Sequence, residues 1–248
     1  MKKYKSMIIT TITLLSFSTT VIAETEVEGQ QSGTWAIAGS PYKVIGDVEV
    51  PHGQSLTIEA GVEVNFQGYY MLDIRGQLMA VGTEVDSILF TTDDPGTGWN
   101  GIRFTLPSND PQPEIKYCRI EFGRASGADP LCYGGGIYLK QTDAEIWHNT
   151  IYSNTTTKDG GGIYVWGSNP SIMYNNFIAN TSERNGAAIA VVNGSAPIID
   201  ANTFTGNSAN ISGNDYGGGI YIEDSAPEIS NCDFIDNTAG YGGGIAIY

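Results

Sequence analysis

Apolar and polar positions alternate along the second half of the chain, and the alternation recurs. Gly134-Gly135-Gly136-Ile137-Tyr138-Leu139 returns as Gly160-Gly161-Gly162-Ile163-Tyr164-Val165, Gly186-Ala187-Ala188-Ile189-Ala190-Val191, Gly217-Gly218-Gly219-Ile220-Tyr221-Ile222 and Gly242-Gly243-Gly244-Ile245-Ala246-Ile247. The first glycines stand 26, 26, 31 and 25 residues apart. Ile137 and Leu139 are aliphatic in every copy, while the position between them reads Tyr, Tyr, Ala, Tyr, Ala. A period of two with one constant side predicts a strand with one buried face. Each full unit then predicts a second strand, over 146–151, 172–177, 199–204 and 229–234, followed by Asn154, Asn180, Asn207 and Asn237. The additional residues of the longest spacing fall in 208–216, where a loop grows without disturbing a strand.

Strands this short cannot bury a face alone, but stacked units bury it continuously. The pattern therefore predicts an all-β fold: a single-stranded right-handed parallel β-helix solenoid of about nine coils, roughly 25 residues each. Residues 33–124 obey the same rules less regularly, with Leu56-Thr57-Ile58, Leu72-Asp73-Ile74 and Ile102-Arg103-Phe104 alternating between Gly- and Pro-rich turns. Residues 125–248 carry the repeats and 24–32 form a polar lead-in. The last unit stops after its first strand, which predicts further coils beyond Tyr248.

The second strands also predict an inward corner. Asn149, Asn175, Asn202 and Cys232 occupy one repeat position, and Cys118 occupies the same position in 115–120. Stacked amides there bond from coil to coil, and cysteine fills the place as a small apolar group. Cys118 and Cys232 then lie about 19 Å apart, too far to bridge. A Cys118–Cys132 bridge stays open.

Charge and the N-terminus narrow the function. Residues 1–23 combine Lys2, Lys3 and Lys5 with a short apolar run and end in Val21-Ile22-Ala23, which reads as a cleaved bacterial secretory signal. Its removal takes the formal charge from −15 to −18. The expected protein is secreted or lies on the outer cell surface. Nucleic acid is excluded as a partner for want of a basic footprint, and no later stretch is apolar enough to insert in a membrane.

Gly-Gly-x-Ile paired with Phe-x-x-Asn, as in Phe177–Asn180, Phe204–Asn207 and Phe234–Asn237, resembles the repeat of chlamydial polymorphic outer membrane proteins. More broadly, the chain resembles the right-handed β-helix superfamily that includes pectate lyases. The resemblance implies the solenoid and leaves activity open.

No cluster of reactive side chains stands out, so no catalytic residue and no cofactor is expected. Loops at 210–215 and 233–237 offer oxygen ligands and leave a calcium ion as an alternative. Aromatic residues offer the better candidate surface. Tyr138, Tyr164 and Tyr221 share one outward column, and Trp166 and Tyr248 share the next. Such a strip stacks on sugar rings or on a protein partner. The expected function is a non-catalytic, adhesin-like or glycan-binding surface stalk, with polysaccharide or a cell-surface protein as partner. The alternative is a polysaccharide lyase or glycoside hydrolase acting on acidic polysaccharide.

Overall fold

A computed structural model describes residues 24–105, 112–210, 213 and 215–248. The signal segment at 1–23 lies outside the described residues, as do stretches of the loops at 107–113 and 208–216. The chain winds as a parallel β-solenoid, and every strand pairs in parallel with its equivalent in the neighbouring coil. Each coil contributes to three faces. In one coil the front strand is Ile137–Lys140, the side strand Glu145–Trp147 and the rear strand Thr150–Tyr152. Four coils add a short ridge strand, such as Thr155–Thr156, before the chain returns to the front.

The alternating residues face as their pattern requires. Ile137, Leu139, Ile163, Val165, Ile189 and Val191 are fully buried in one continuous core. Phe204 stacks between Phe177 and Phe234 at centroid distances of 4.8 and 4.7 Å. Nearer the N-terminus, Trp99 stacks on Phe66 at 4.1 Å and donates its indole N–H to the Glu121 carbonyl.

The side face holds eight strands, so the described chain makes eight coils rather than about nine. The difference is insertion: the step from the strand Gln77–Val81 to the strand Glu114–Lys116 takes 37 residues. A second difference concerns residues 146–151, which form two strands. His148 takes φ of 57° and turns the chain, and Tyr174, Ala201 and Asn231 do the same in later coils. The first coil is simpler. Its nine-residue strand Tyr42–Val50 pairs with rear strand Glu63–Phe66 at one end and front strand Leu72–Ile74 at the other.

Three ladders line the corners. The Asn175 backbone N–H and Nδ2 both donate to Asn202 Oδ1, at 2.8 and 3.0 Å, and Nδ2 also donates to the Ile146 carbonyl. Asn149 does the same to Asn175, and the Cys118 N–H donates to Asn149 Oδ1 at 2.8 Å. Cys232 closes the row, 4.0 Å from Asn202 Nδ2. A second asparagine ladder of Asn154, Asn180, Asn207 and Asn237 repeats the geometry on the far side of the rear strands. Hydroxyls make the third, with the N–H of Thr142, Ser168 and Ser195 donating to Ser168, Ser195 and Ser225 Oγ. These bonds satisfy polar groups that burial would otherwise penalise. Cys118, Cys132 and Cys232 are all free thiols.

Candidate functional site on the front face

Outward positions of the front strands stack as Asp73, Arg103, Tyr138, Tyr164, Ala190, Tyr221 and Ala246. The tyrosine column exists, but it is not an open strip. Tyr138, Tyr164 and Tyr221 are only 4%, 8% and 4% exposed. The turns that precede the front strands fold back over them: Tyr133 lies 4.6 Å from Tyr164, and Tyr216 lies 6.2 Å from Tyr221.

The five sequence-predicted aromatic residues fall into two groups. Tyr138, Tyr164 and Trp166 line a concavity of about 390 Å³ with Asp129, Tyr133 and Lys140. Lys140 Nζ sits 5.3 Å from the centre of the Trp166 ring, so the indole carries a cation on one face. Tyr221 packs with Tyr216, which also meets Tyr241 at 5.2 Å and the exposed Tyr248 at 5.9 Å. That second group is outside the concavity.

Arg103 supports one wall of the site from beneath. Its guanidinium lies 4.6 Å over the Tyr138 ring. Nη1 donates to the Asn100 carbonyl and Oδ1, and Nη2 donates to the Pro130 and Tyr133 carbonyls at 2.8 and 3.1 Å. These bonds fasten the turn that brings Asp129 and Tyr133 to the rim. The side chain is fully buried without an ion pair among the described residues, and burial pushes its pKa down to about 10.

Asp159 occupies the place in the next coil that Tyr133 holds before its glycine triplet. Its Oδ1 accepts the Asn185 N–H at 2.9 Å, and Asn185 Oδ1 accepts the Tyr216 N–H at 2.9 Å. Burial pushes the Asp159 carboxyl up, Glu223 adds to the rise, and Arg184 opposes it from 4.0 Å. Folding thus raises its proton affinity. The stabilisation this proton gives is complete below the unfolded-state pKa and is lost as pH rises through the higher folded-state value. Asp159→Asn is therefore expected to lose less thermal stability than the parent as pH rises from about 4, followed by circular dichroism. An equal loss in both proteins would remove Asp159 as the titrating group.

Tyr133, Arg103, Lys140 and Asp159 were not singled out by the sequence pattern as binding residues. Tyr133 did leave a signal, because the residue before the first glycine is also Tyr at Tyr216 and Tyr241. Arg103 left none within its own repeat and emerges only through register with Tyr138. Arg75, by contrast, pairs with Asp73 at 2.9 Å and with Glu49 at 3.2 Å, as an exposed ion-pair group.

Among the described residues, no three His, Cys, Asp or Glu side chains are grouped to hold a metal ion. None of their helices is long and apolar enough to cross a membrane. No curated protein sequence and no solved structure matches the chain. Residues 95–248 match the model of the right handed beta helix region, which covers the front-face concavity and all five glycine units, and the chain belongs to that family.

Proposed function

We propose that this chain belongs to an exported, surface-associated β-helix whose front face binds a saccharide without altering it chemically. One observation carries the reading: the concavity joins Tyr133, Tyr138, Tyr164 and Trp166 with Lys140 and Asp129. Aromatic rings supply apolar area with little side-chain entropy to lose, and the flanking charges supply oriented hydrogen bonds. The solenoid also repeats similar surface along its axis, which suits a polymeric ligand. Trp166 is half-buried and at the rim, so its removal leaves the core intact. Trp166→Ala is expected to weaken binding to its best glycan on an immobilised polysaccharide panel by about tenfold or more. Unchanged binding by Trp166→Ala and by Tyr164→Ala would sink the proposal.

A second reading, a lyase or hydrolase of acidic polysaccharide, is favoured by Asp159, whose carboxyl burial pushes up, beside Tyr164 and Arg184. Release of unsaturated uronate or of new reducing ends, lost in Asp159→Asn, would put that reading first.

A further inference from the structure

The ridge strands Arg124–Ala125, Thr155–Thr156, Thr181–Ser182 and Ser208–Ala209 pair in register. Arg124, Thr155, Thr181 and Ser208 thus form one row, stepping about 4.8 Å per coil. Beside them is a concavity of about 330 Å³ that shares no lining residue with the front-face one. Every lining residue but Ala125 carries a polar side chain, while methyl and methylene carbons contribute a large share of the lining surface. Thr155, Thr181 and Ser182 supply hydroxyls, Arg124 and Glu183 supply opposite charges, and Asn210 lies at one end.

Ser182 marks the place as a site. It is 5% exposed, lines the concavity and has no hydrogen-bond partner for Oγ among the described residues. Its equivalent one coil earlier, Thr156, spends its hydroxyl on the Cys132 carbonyl. Its equivalent one coil later is Ala209. A buried hydroxyl without a partner is costly, so a partner that enters the concavity gains by supplying one. Arg124 and Glu183 form no ion pair among the described residues, so donor and acceptor capacity is also left over at the rim.

We infer that this concavity is a second saccharide subsite, taking a neutral hexose unit. Each sugar hydroxyl both donates and accepts, which matches a wall of hydroxyls between a guanidinium and a carboxylate. Glu183 disfavours an anionic ligand, and the threonine methyls give the C–H face of a hexose ring an apolar surface to pack on. The volume is at the lower end for small-molecule pockets. The subsite does not depend on the front-face reading.

The test titrates the whole chain with cellotetraose, maltotetraose and mannotetraose, and with tetragalacturonate as the acidic comparator. Calorimetry and saturation-transfer NMR give affinity and contact. One neutral tetrasaccharide is expected to bind, with affinity falling tenfold or more in Thr155→Val/Thr181→Val and severalfold in Ser182→Ala. Ser182→Ala removes only an unpartnered hydroxyl, so its melting temperature is expected to stay level or rise. Trp166→Ala is expected to leave this binding intact, which separates the subsite from the front face. The inference is overturned if no neutral tetrasaccharide binds, if only tetragalacturonate binds, or if the threonine pair and Ser182→Ala leave binding unchanged.

Discussion

Asn175→Ala is expected to cost about 4 kcal/mol of stability, among the largest effects of any polar substitution in the chain. Asn175 Oδ1 accepts the Asn149 backbone N–H at 2.9 Å and Asn149 Nδ2 at 3.0 Å. Its Nδ2 donates to the Ile146 carbonyl at 2.7 Å. Alanine strips a partner from all three groups, and the site is only 1% exposed, so water does not replace them. Each orphaned group costs about 1–3 kcal/mol, with some offset because Asn149 Nδ2 keeps its bond to the Ile115 carbonyl. For a chain of this size the melting temperature should drop by roughly 8–16 °C, measured by circular dichroism. A loss below about 1 kcal/mol would mean that the neighbouring coils close over the gap or admit water.

The other large effect is expected from the first glycine of a triplet. Gly160 has φ of +74°, and a Cβ there would meet the Ile163 carbonyl oxygen at 2.5 Å. Gly160→Ala combines left-handed strain of about 1–2 kcal/mol with that contact, for a total near 3 kcal/mol. Gly162→Ala is expected to cost less, because its equivalent one coil later is already Ala188. Urea unfolding of the two variants should rank them in this order, and the reverse order would place the constraint at the wrong glycine. The same geometry explains the sequence. All five units keep glycine at the first position, with φ between 61° and 74°, while the second and third positions become Ala187 and Ala188 in one unit.

Repetition made much of this fold legible. Alternation fixed which side of Ile137–Leu139 is buried, and the spacing of Asn149, Asn175 and Asn202 aligned one ladder. Features that depend on one residue's backbone or on distant chain were not legible. Period two across 146–151 sets Ile146 opposite to Ile151, yet both are fully buried. His148, turning through φ of 57°, resets the phase, and nothing in its own chemistry requires it. The asparagines at 154, 180, 207 and 237 were visible as a recurrence, but their partners lie a whole coil away. The site shows the same divide. Its tyrosines could be aligned from the repeat, whereas their cover comes from turns whose path depends on insertions and on the grip of Arg103. Exposure of an outward residue is a property of the loops above it, which alternation does not encode.

The parallel ladders have a mechanical consequence. Their hydrogen bonds run along the stack, from one coil to the next. Tension applied along that direction loads them in series, so coils come away singly instead of shearing together. The coil between Ile163 and Ile189 holds 26 residues. Peeled free, it lengthens from about 4.8 Å of stack to roughly 90 Å of extended chain. Such a rod is stiff under small loads and yields under large ones one coil at a time, in steps set by each coil's length, while the coils not yet peeled keep their surfaces in register.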